Sequence, residues 1–299
     1  MKRPNFMCLG APKCGTTTLY DILKQHPDIF LTSFKEPHFF DIDKNYQEGY
    51  QWYLSEYYHK VGNQQIIGEF TPSYFTVPKV SKRIKKDIGK DIKFILILRN
   101  PVERAYSLYL HAKRDLKENL SFEEGLLEEE DRLKKFIKNG DDISYGKFSY
   151  INGGLYYKHL INFLQDFDQS QFKFFIFEEE FMNDRQKMLN EIYDFLNIEP
   201  IDVDIDIKSN AAADARFPKI KSFLNEKSRF KSYSKSLIKS KKVRSKIINY
   251  LQKLSNKKVI KQEINHEFKM KILNKYFLDD IQKLEKLIDR DLSVWYRDI

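Results

Sequence analysis

The sequence predicts an α/β fold of three layers, a central parallel sheet flanked by helices, and three stretches of its 299 residues carry that prediction. The first is a strand, a glycine-bounded loop and a helix in immediate succession near the N-terminus. The second is a five-residue apolar run, Phe94–Leu98, the pattern of a central parallel strand covered on both faces. The third is the recurrence of short strand-like runs at Ile66–Phe70 and Phe172–Phe177 among amphipathic stretches of helical period. No Pro/Gly/Ser-rich linker or internal repeat divides the chain. It is expected to be one domain, residues 1–299, with a basic, helical variable region at 216–265.

The elements follow in order. Asn5–Leu9 is a buried strand. Thr16–Gln25 is a helix with Leu19, Ile22 and Leu23 on one face. The loop between them, Gly10-Ala11-Pro12-Lys13-Cys14-Gly15, aims its backbone N–H groups at the positive end of the helix dipole, where an anion is stabilised. Lys13 adds a full charge, and Thr16, Thr17 and Thr18 add hydroxyls. The phosphate loop of ATPases ends in Gly-Lys-Ser/Thr. Here Lys13 precedes Gly15 by two residues, so an anionic donor other than a nucleoside triphosphate is implied. After Phe94–Leu98, Arg99 stands at the carboxyl end of a strand, where ligands of such sheets bind. Pro101 opens the next helix, which carries Arg104, Ser107, Leu108 and Leu110. Arg99 and Ser107 offer a planar fork and a hydroxyl for a phosphate. Further helices are expected from Gly154 to Phe167, over Met188–Asn197 and over Tyr276–Trp295.

Gly10, Lys13, Gly15, Thr16, Thr17 and Leu19 together spell Gly-x-x-Lys-x-Gly-Thr-Thr-x-Leu. This resembles the loop of the sulfotransferases that use 3′-phosphoadenosine 5′-phosphosulfate (PAPS), and the spacing from Arg99 to Ser107 is similar to their 3′-phosphate site. The resemblance implies a P-loop NTPase-like fold, PAPS as donor, PAP as product and no metal. It implies that Lys13, Cys14, Gly15, Thr16, Thr17 and Thr18 hold the 5′-phosphosulfate while Arg99 and Ser107 hold the 3′-phosphate. The Gly154-Leu155-Tyr156 stretch is similar to that family's Gly-x-Tyr helix. Tyr156 is therefore an adenosine contact or, read from its helix alone, a core residue.

Leu31–Asp41 holds the acid/base candidates. Glu36 lies among aromatic residues, where desolvation would raise its pKa towards a useful value, and His38 and Asp41 are near enough to share hydrogen bonds. Read alone, the stretch is more readily a loop of surface charges. Lys35-Glu36-x-His38-Phe39-Phe40-Asp41 is similar to the heparan sulfate branch of the family, whose glutamate is the general base. That implies Glu36 as base, Lys13 stabilising the leaving phosphate, His38 assisting, and a carbohydrate-type acceptor. Phe70 replaces a lysine of that branch, which counts against heparan sulfate itself. The sequence shows neither the N-terminal anchor nor the disulfide of eukaryotic relatives, so a bacterial or phage-like member of the branch is expected. The late Lys-Gly loop gives way to Lys208–Phe217, where Arg216 is the candidate replacement charge.

Hydrophobic residues at 41% and aromatics at 15% suffice for a packed core. With no long apolar run the chain is expected to be cytoplasmic, and Cys8 and Cys14 offer neither a disulfide framework nor metal spacing. The net charge of +9 is concentrated: Lys219–Lys258 holds 14 Lys/Arg against Glu226, a local +13. That block is a solvated helical face or a platform for an anionic acceptor or membrane surface. Two other readings stay open at this point. One is a nucleotide or small-molecule kinase, disfavoured by the missing Gly-Lys-Thr. The other is a polyanion-binding protein without enzymatic activity, although no nucleic-acid recognition module is visible and no specific nucleic acid is expected.

Overall fold

The structure, a computed structural model, describes residues 2–207, 213–215, 256–258 and 264–297. Five parallel strands form the central sheet: β1 Phe6–Gly10, β2 Ile29–Leu31, β3 Ile66–Phe70, β4 Lys93–Leu98 and β5 Phe172–Ile176. Their spatial order is β2-β3-β1-β4-β5, so the order of strand addition switches sides at β1, whose neighbours are β3 and β4. Every residue of β1 and β3 is buried, as is Phe94–Leu98 of β4. This is the consequence of covering both faces of a parallel sheet with helices.

The helices that matter for the cleft are α1 Thr16–Leu23, α2 Asp43–Tyr46, α3 Tyr50–Tyr57, α4 Lys79–Asp87, α5 Pro101–Arg114, α6 Phe122–Leu127, α7 Glu129–Asn139, α8 Asp142–Phe148, α9 Tyr156–Leu164 and α10 Arg185–Leu196. Asn100 caps α5, its Oδ1 accepting from the N–H groups of Val102 and Glu103, and Pro101 occupies the first turn. Ser121 and Glu124 cap α6 reciprocally. A single π-helical turn, Phe177–Phe181, ends β5 earlier than the apolar run suggests.

The chain departs from expectation at its C-terminal end. A continuous helix over Tyr276–Trp295 is replaced by α11 His266–Tyr276, α12 Leu278–Ile288 and a 3₁₀ turn at Ser293–Trp295. The break falls at Phe277, whose ring is fully buried and packs where Gly154 leaves room for it. Asp289 ends α12 in the left-handed region at φ 51°. Within the basic variable region expected to be helical, Asn256–Lys258 is a short strand (β7) paired antiparallel with Ala213–Ala215 (β6). Arg216 and most of Lys219–Lys258 lie outside the described residues.

Candidate functional site

A cleft of about 600 Å³ opens at the carboxyl ends of β1, β3 and β4, the position dictated by the switch in strand order at β1. Its floor is the loop between β1 and α1. Lys13 and Gly15 both take left-handed backbone conformations, at φ 73° and 82°. A side chain at Gly15 would put Cβ 2.4 Å from the Phe181 ring, so glycine is required twice over there. No side chain caps α1, which leaves the N–H groups of its first turn aimed at the cleft. Thr16, Thr17, Thr18 and Lys13 line it. Burial, reinforced by the charge of Arg114 and opposed by Glu36, lowers the Lys13 ammonium to about 8. Cys14 is not a donor: its side chain is buried and its N–H already bonds the Ala11 carbonyl at 3.2 Å.

The corner after β4 is held on several sides. Asn100 N–H donates to Glu178 Oε1 at 2.9 Å, Asn100 Nδ2 to the Trp295 carbonyl at 2.9 Å, and Trp295 Nε1 to Glu178 Oε2 at 3.0 Å. Tyr156 belongs to the same bracing. It is fully buried, and its hydroxyl donates to the Arg99 carbonyl at 2.8 Å. No surface of it remains for adenosine, so the core reading of Tyr156 replaces the ligand reading. Arg99 donates through Nη1 to the Lys13 carbonyl at 3.2 Å and through Nη2 to Glu103 at 3.4 Å, and its guanidinium lies over the Phe177 ring. Ser107 lines the cleft and Arg99 does not. The expected pairing of these two side chains on one phosphate is thus not assembled here: Nη1 and Nη2 of Arg99 tether the loop and Glu103, while its buried Nε has no partner. Facing the cleft instead is Arg104, wholly buried. Its Nη2 donates to the carbonyls of Ser149 and Tyr150, while Nε and Nη1 have no partner. Gly153 makes room for it, since a Cβ there would stand 2.9 Å from Nη1.

Opposite the loop lies Lys35–Asp41. Glu36 and His38 both hold positive φ, 64° and 53°, uncommon for such residues and costly unless the surroundings enforce it. Lys35 Nζ donates to Glu36 Oε1 at 2.6 Å, and His38 Nε2 stands 3.6 Å from Glu36 Oε2. His38 Nδ1 meets Asp41 Oδ2 at 2.8 Å, and Ser73 Oγ donates to the same oxygen at 2.6 Å. Burial would raise the Glu36 carboxyl, yet His38 and the Lys35 ammonium outweigh it and hold the group at about 2. The expected upward shift of Glu36 is therefore reversed. Burial would lower His38, but hydrogen bonds to Asp41 and Glu36 raise it to about 10. At neutral pH the segment carries a glutamate anion and an imidazolium side by side.

A model of the sulfotransferase domain matches residues 3–273. The chain belongs to the sulfotransferase domain family. It is 34% identical to heparan sulfate glucosamine 3-O-sulfotransferase 3B1 of Mus musculus over 201 residues, 67% of this chain and 48% of that protein. It is 38% identical to the membrane-associated sulfotransferase kil1 of Dictyostelium discoideum over 143 residues, 45% of this chain and 30% of that one. The chain thus spans about half or less of the length of these curated relatives. A sulfotransferase from Alicyclobacillus acidocaldarius has the same α/β, P-loop NTPase-like fold, with a TM-score of 0.69 at 27% identity over 99% of both chains.

In this sulfotransferase domain the cleft brings together Lys13, Gly15, Thr16, Thr17, Thr18, Ser107, Glu36 and His38. Arg99 and Tyr156 stand behind it as supports. Ser73 and Thr76, on the 3₁₀ turn after β3, also line the cleft. The same signal that marks Arg99, a polar residue just past a strand's carboxyl end, marks Ser73. Nothing comparable marks Arg104, which reads as one more charge on an amphipathic helix. Among the described residues no group of three His, Cys, Asp or Glu side chains is placed to hold a metal, and no helix is long and apolar enough to cross a membrane.

Proposed function

We propose that this domain transfers the sulfuryl group of PAPS to a hydroxyl or amine of a carbohydrate-type acceptor. The observation that carries this reading is the placement of one cleft between a loop lysine beside an uncapped helix N-terminus and a glutamate–imidazolium pair. The donor fits the residues present: the α1 N-terminus and Lys13 suit the 5′-phosphosulfate. The unpartnered nitrogens of Arg104, with Ser107, suit another phosphate of the same nucleotide.

The chemistry follows from charge. The acceptor oxygen attacks sulfur, the bond from sulfur to the 5′-phosphate oxygen breaks, and PAP leaves with the electron pair. Lys13 neutralises the charge building on that bridging oxygen. The acceptor proton goes to Glu36. With a pKa of about 2 Glu36 is a weak base while Lys35 holds it. An acceptor hydroxyl that displaces the Lys35 ammonium raises the carboxylate in the direction proton transfer requires. His38, charged and locked by Asp41, faces the transferring sulfonate and orients the glutamate.

Thermal unfolding with PAP, ATP and an oligonucleotide separates this from the kinase and polyanion readings, because a specific ligand raises Tm by mass action. PAP is expected to raise Tm most. A larger shift with ATP would favour a kinase, and a larger shift with the oligonucleotide a polyanion-binding protein.

A further inference from the structure

The acceptor end of the cleft differs in chemistry from its donor end. Ile42 and Ile143 give it an apolar wall beside Thr76 and Gly146. Ile143 is 68% exposed at the mouth, among the few large apolar side chains left in solvent. The charged groups around this wall are answered within the protein. Asp142 pairs with Lys79 at 3.0 Å, Lys147 with Asp115 at 3.1 Å, Glu36 with Lys35 at 2.6 Å and His38 with Asp41 at 2.8 Å. His111, elsewhere in the cleft, is kept neutral, pushed down to about 4 by burial and by the charges of Lys13 and Arg114. Among the described residues, the cations that line the cleft without an acid partner are Lys13 and Arg104, both at the donor end. With these charges already answered, the described residues of the wall offer an acceptor's carboxylates or sulfates no free cation. An anionic acceptor would leave water there without gaining a compensating partner, which selects against it. Hydrocarbon laid on Ile42 and Ile143 would instead leave water at no electrostatic cost.

We propose that the acceptor is an uncharged amphiphile, a sugar hydroxyl carried next to hydrocarbon, and not a polyanionic glycan. This rests on the sulfuryl-transfer reading and narrows its acceptor. The test uses the full chain, PAPS and three probes: octyl β-glucoside below its micelle-forming concentration, glucose, and an unsulfated oligosaccharide containing glucuronate. The expected kcat/KM for octyl glucoside exceeds both others by about 10-fold or more, the scale set by a few buried methylenes. Ile143→Asp is expected to remove most of that preference, with the PAP-induced rise in Tm reporting that the variant is folded. Preference for the glucuronate oligosaccharide, equal rates for glucose and octyl glucoside, or no transfer to octyl glucoside by a protein that binds PAP overturns the acceptor class while the donor reading stands. An unchanged preference in Ile143→Asp overturns the assignment of the wall. Failure to bind PAP at all overturns the sulfuryl-transfer reading and this proposal with it.

Discussion

The two ends of the cleft face each other across a few residues but are held in place by different means. At the donor end the geometry is local: strand β1, a loop with two left-handed residues and an uncapped helix follow one another within Phe6–Leu23, and the anion site is mostly backbone. At the acceptor end it is remote. The N–H groups of Phe39 and Phe40 donate to the Tyr74 hydroxyl at 2.9 and 3.1 Å, and Glu36 N–H donates to the Phe70 carbonyl at 3.0 Å. Behind Tyr74 lies Glu69, wholly buried and raised by that burial, which accepts from Tyr53 and from Thr71 Oγ1. Two catalytic candidates at positive φ are therefore held by a buried polar network some 35 residues further along the chain. A site of the first kind is set within one short stretch of sequence. A site of the second kind depends on every member of the network.

The strongest way to break this division is at Glu36. Glu36→Gln keeps the shape and removes the proton acceptor, so turnover is expected to fall by about 10² to 10⁴. PAP affinity should be unchanged, because the donor end does not use this residue. Near-normal turnover in sulfate transfer to an accepted glycoside would move the base elsewhere, first to His38.

Lys13 tests the donor end in the same terms. Lys13→Ala is expected to cut turnover by about 100-fold, comparable to losing one preorganised donor to a developing oxyanion. With its pKa lowered to about 8, Lys13 is charged below that pH and neutral above it. The kcat/KM for PAPS, which reports the free enzyme, should therefore fall as pH rises through about 8. Lys13→Arg, which stays charged, should push that limb upward. A kcat/KM profile that is flat between 7 and 9 would show that this ionisation of Lys13 does not serve the reaction.

Arg104 and Arg99 sharpen the comparison within the donor end. Arg104→Lys is expected to weaken PAP by about 2 kcal/mol, roughly 30-fold, as loss of a desolvated charged partner does. Arg99→Lys should cost less, because its fork already serves the Lys13 carbonyl and Glu103. Calorimetry with PAP and AMP tells which phosphate is involved, since AMP lacks the 3′-phosphate. Unchanged PAP affinity in Arg104→Lys would leave that residue as a brace for Ser149 and Tyr150 alone.

The same division explains what the sequence made legible. The strands and the anion loop follow from patterns a few residues long: Phe94–Leu98 is apolar throughout because both faces are covered, and Gly15 is flanked by a strand and by threonines. Lys35–Asp41 shows its residue types but not its charge states. The reversal at Glu36 depends on where Lys35 and His38 point once Phe70 and Tyr74 have fixed the backbone. Tyr156 and Arg104 sit on ordinary amphipathic helices, and which of them turns to the cleft is settled by long-range packing against Gly153, Trp295 and the β4 corner.

The smallest expected effect is the one that most directly tests remote support. Tyr74→Phe retains the ring, which packs edge-on against Phe40, and removes only the oxygen that accepts from two buried N–H groups. Leaving those donors unsatisfied should lower stability by about 1–3 kcal/mol. Loosening Phe39 and Phe40 also frees Glu36 and His38 to relax from their left-handed conformations, so turnover should fall by up to about 10-fold. PAP affinity should not change, since no atom of the α1 loop bonds Tyr74. The informative readout is the split between these quantities. A variant that loses stability and turnover while binding PAP normally places Tyr74 as a positioning residue for the acceptor end. If PAP affinity falls in step with turnover, the two ends are coupled through the core and the division drawn between them is wrong. If stability falls and turnover holds, the left-handed backbone at Glu36 is maintained without Tyr74, and the Phe70 carbonyl becomes the contact to disrupt next.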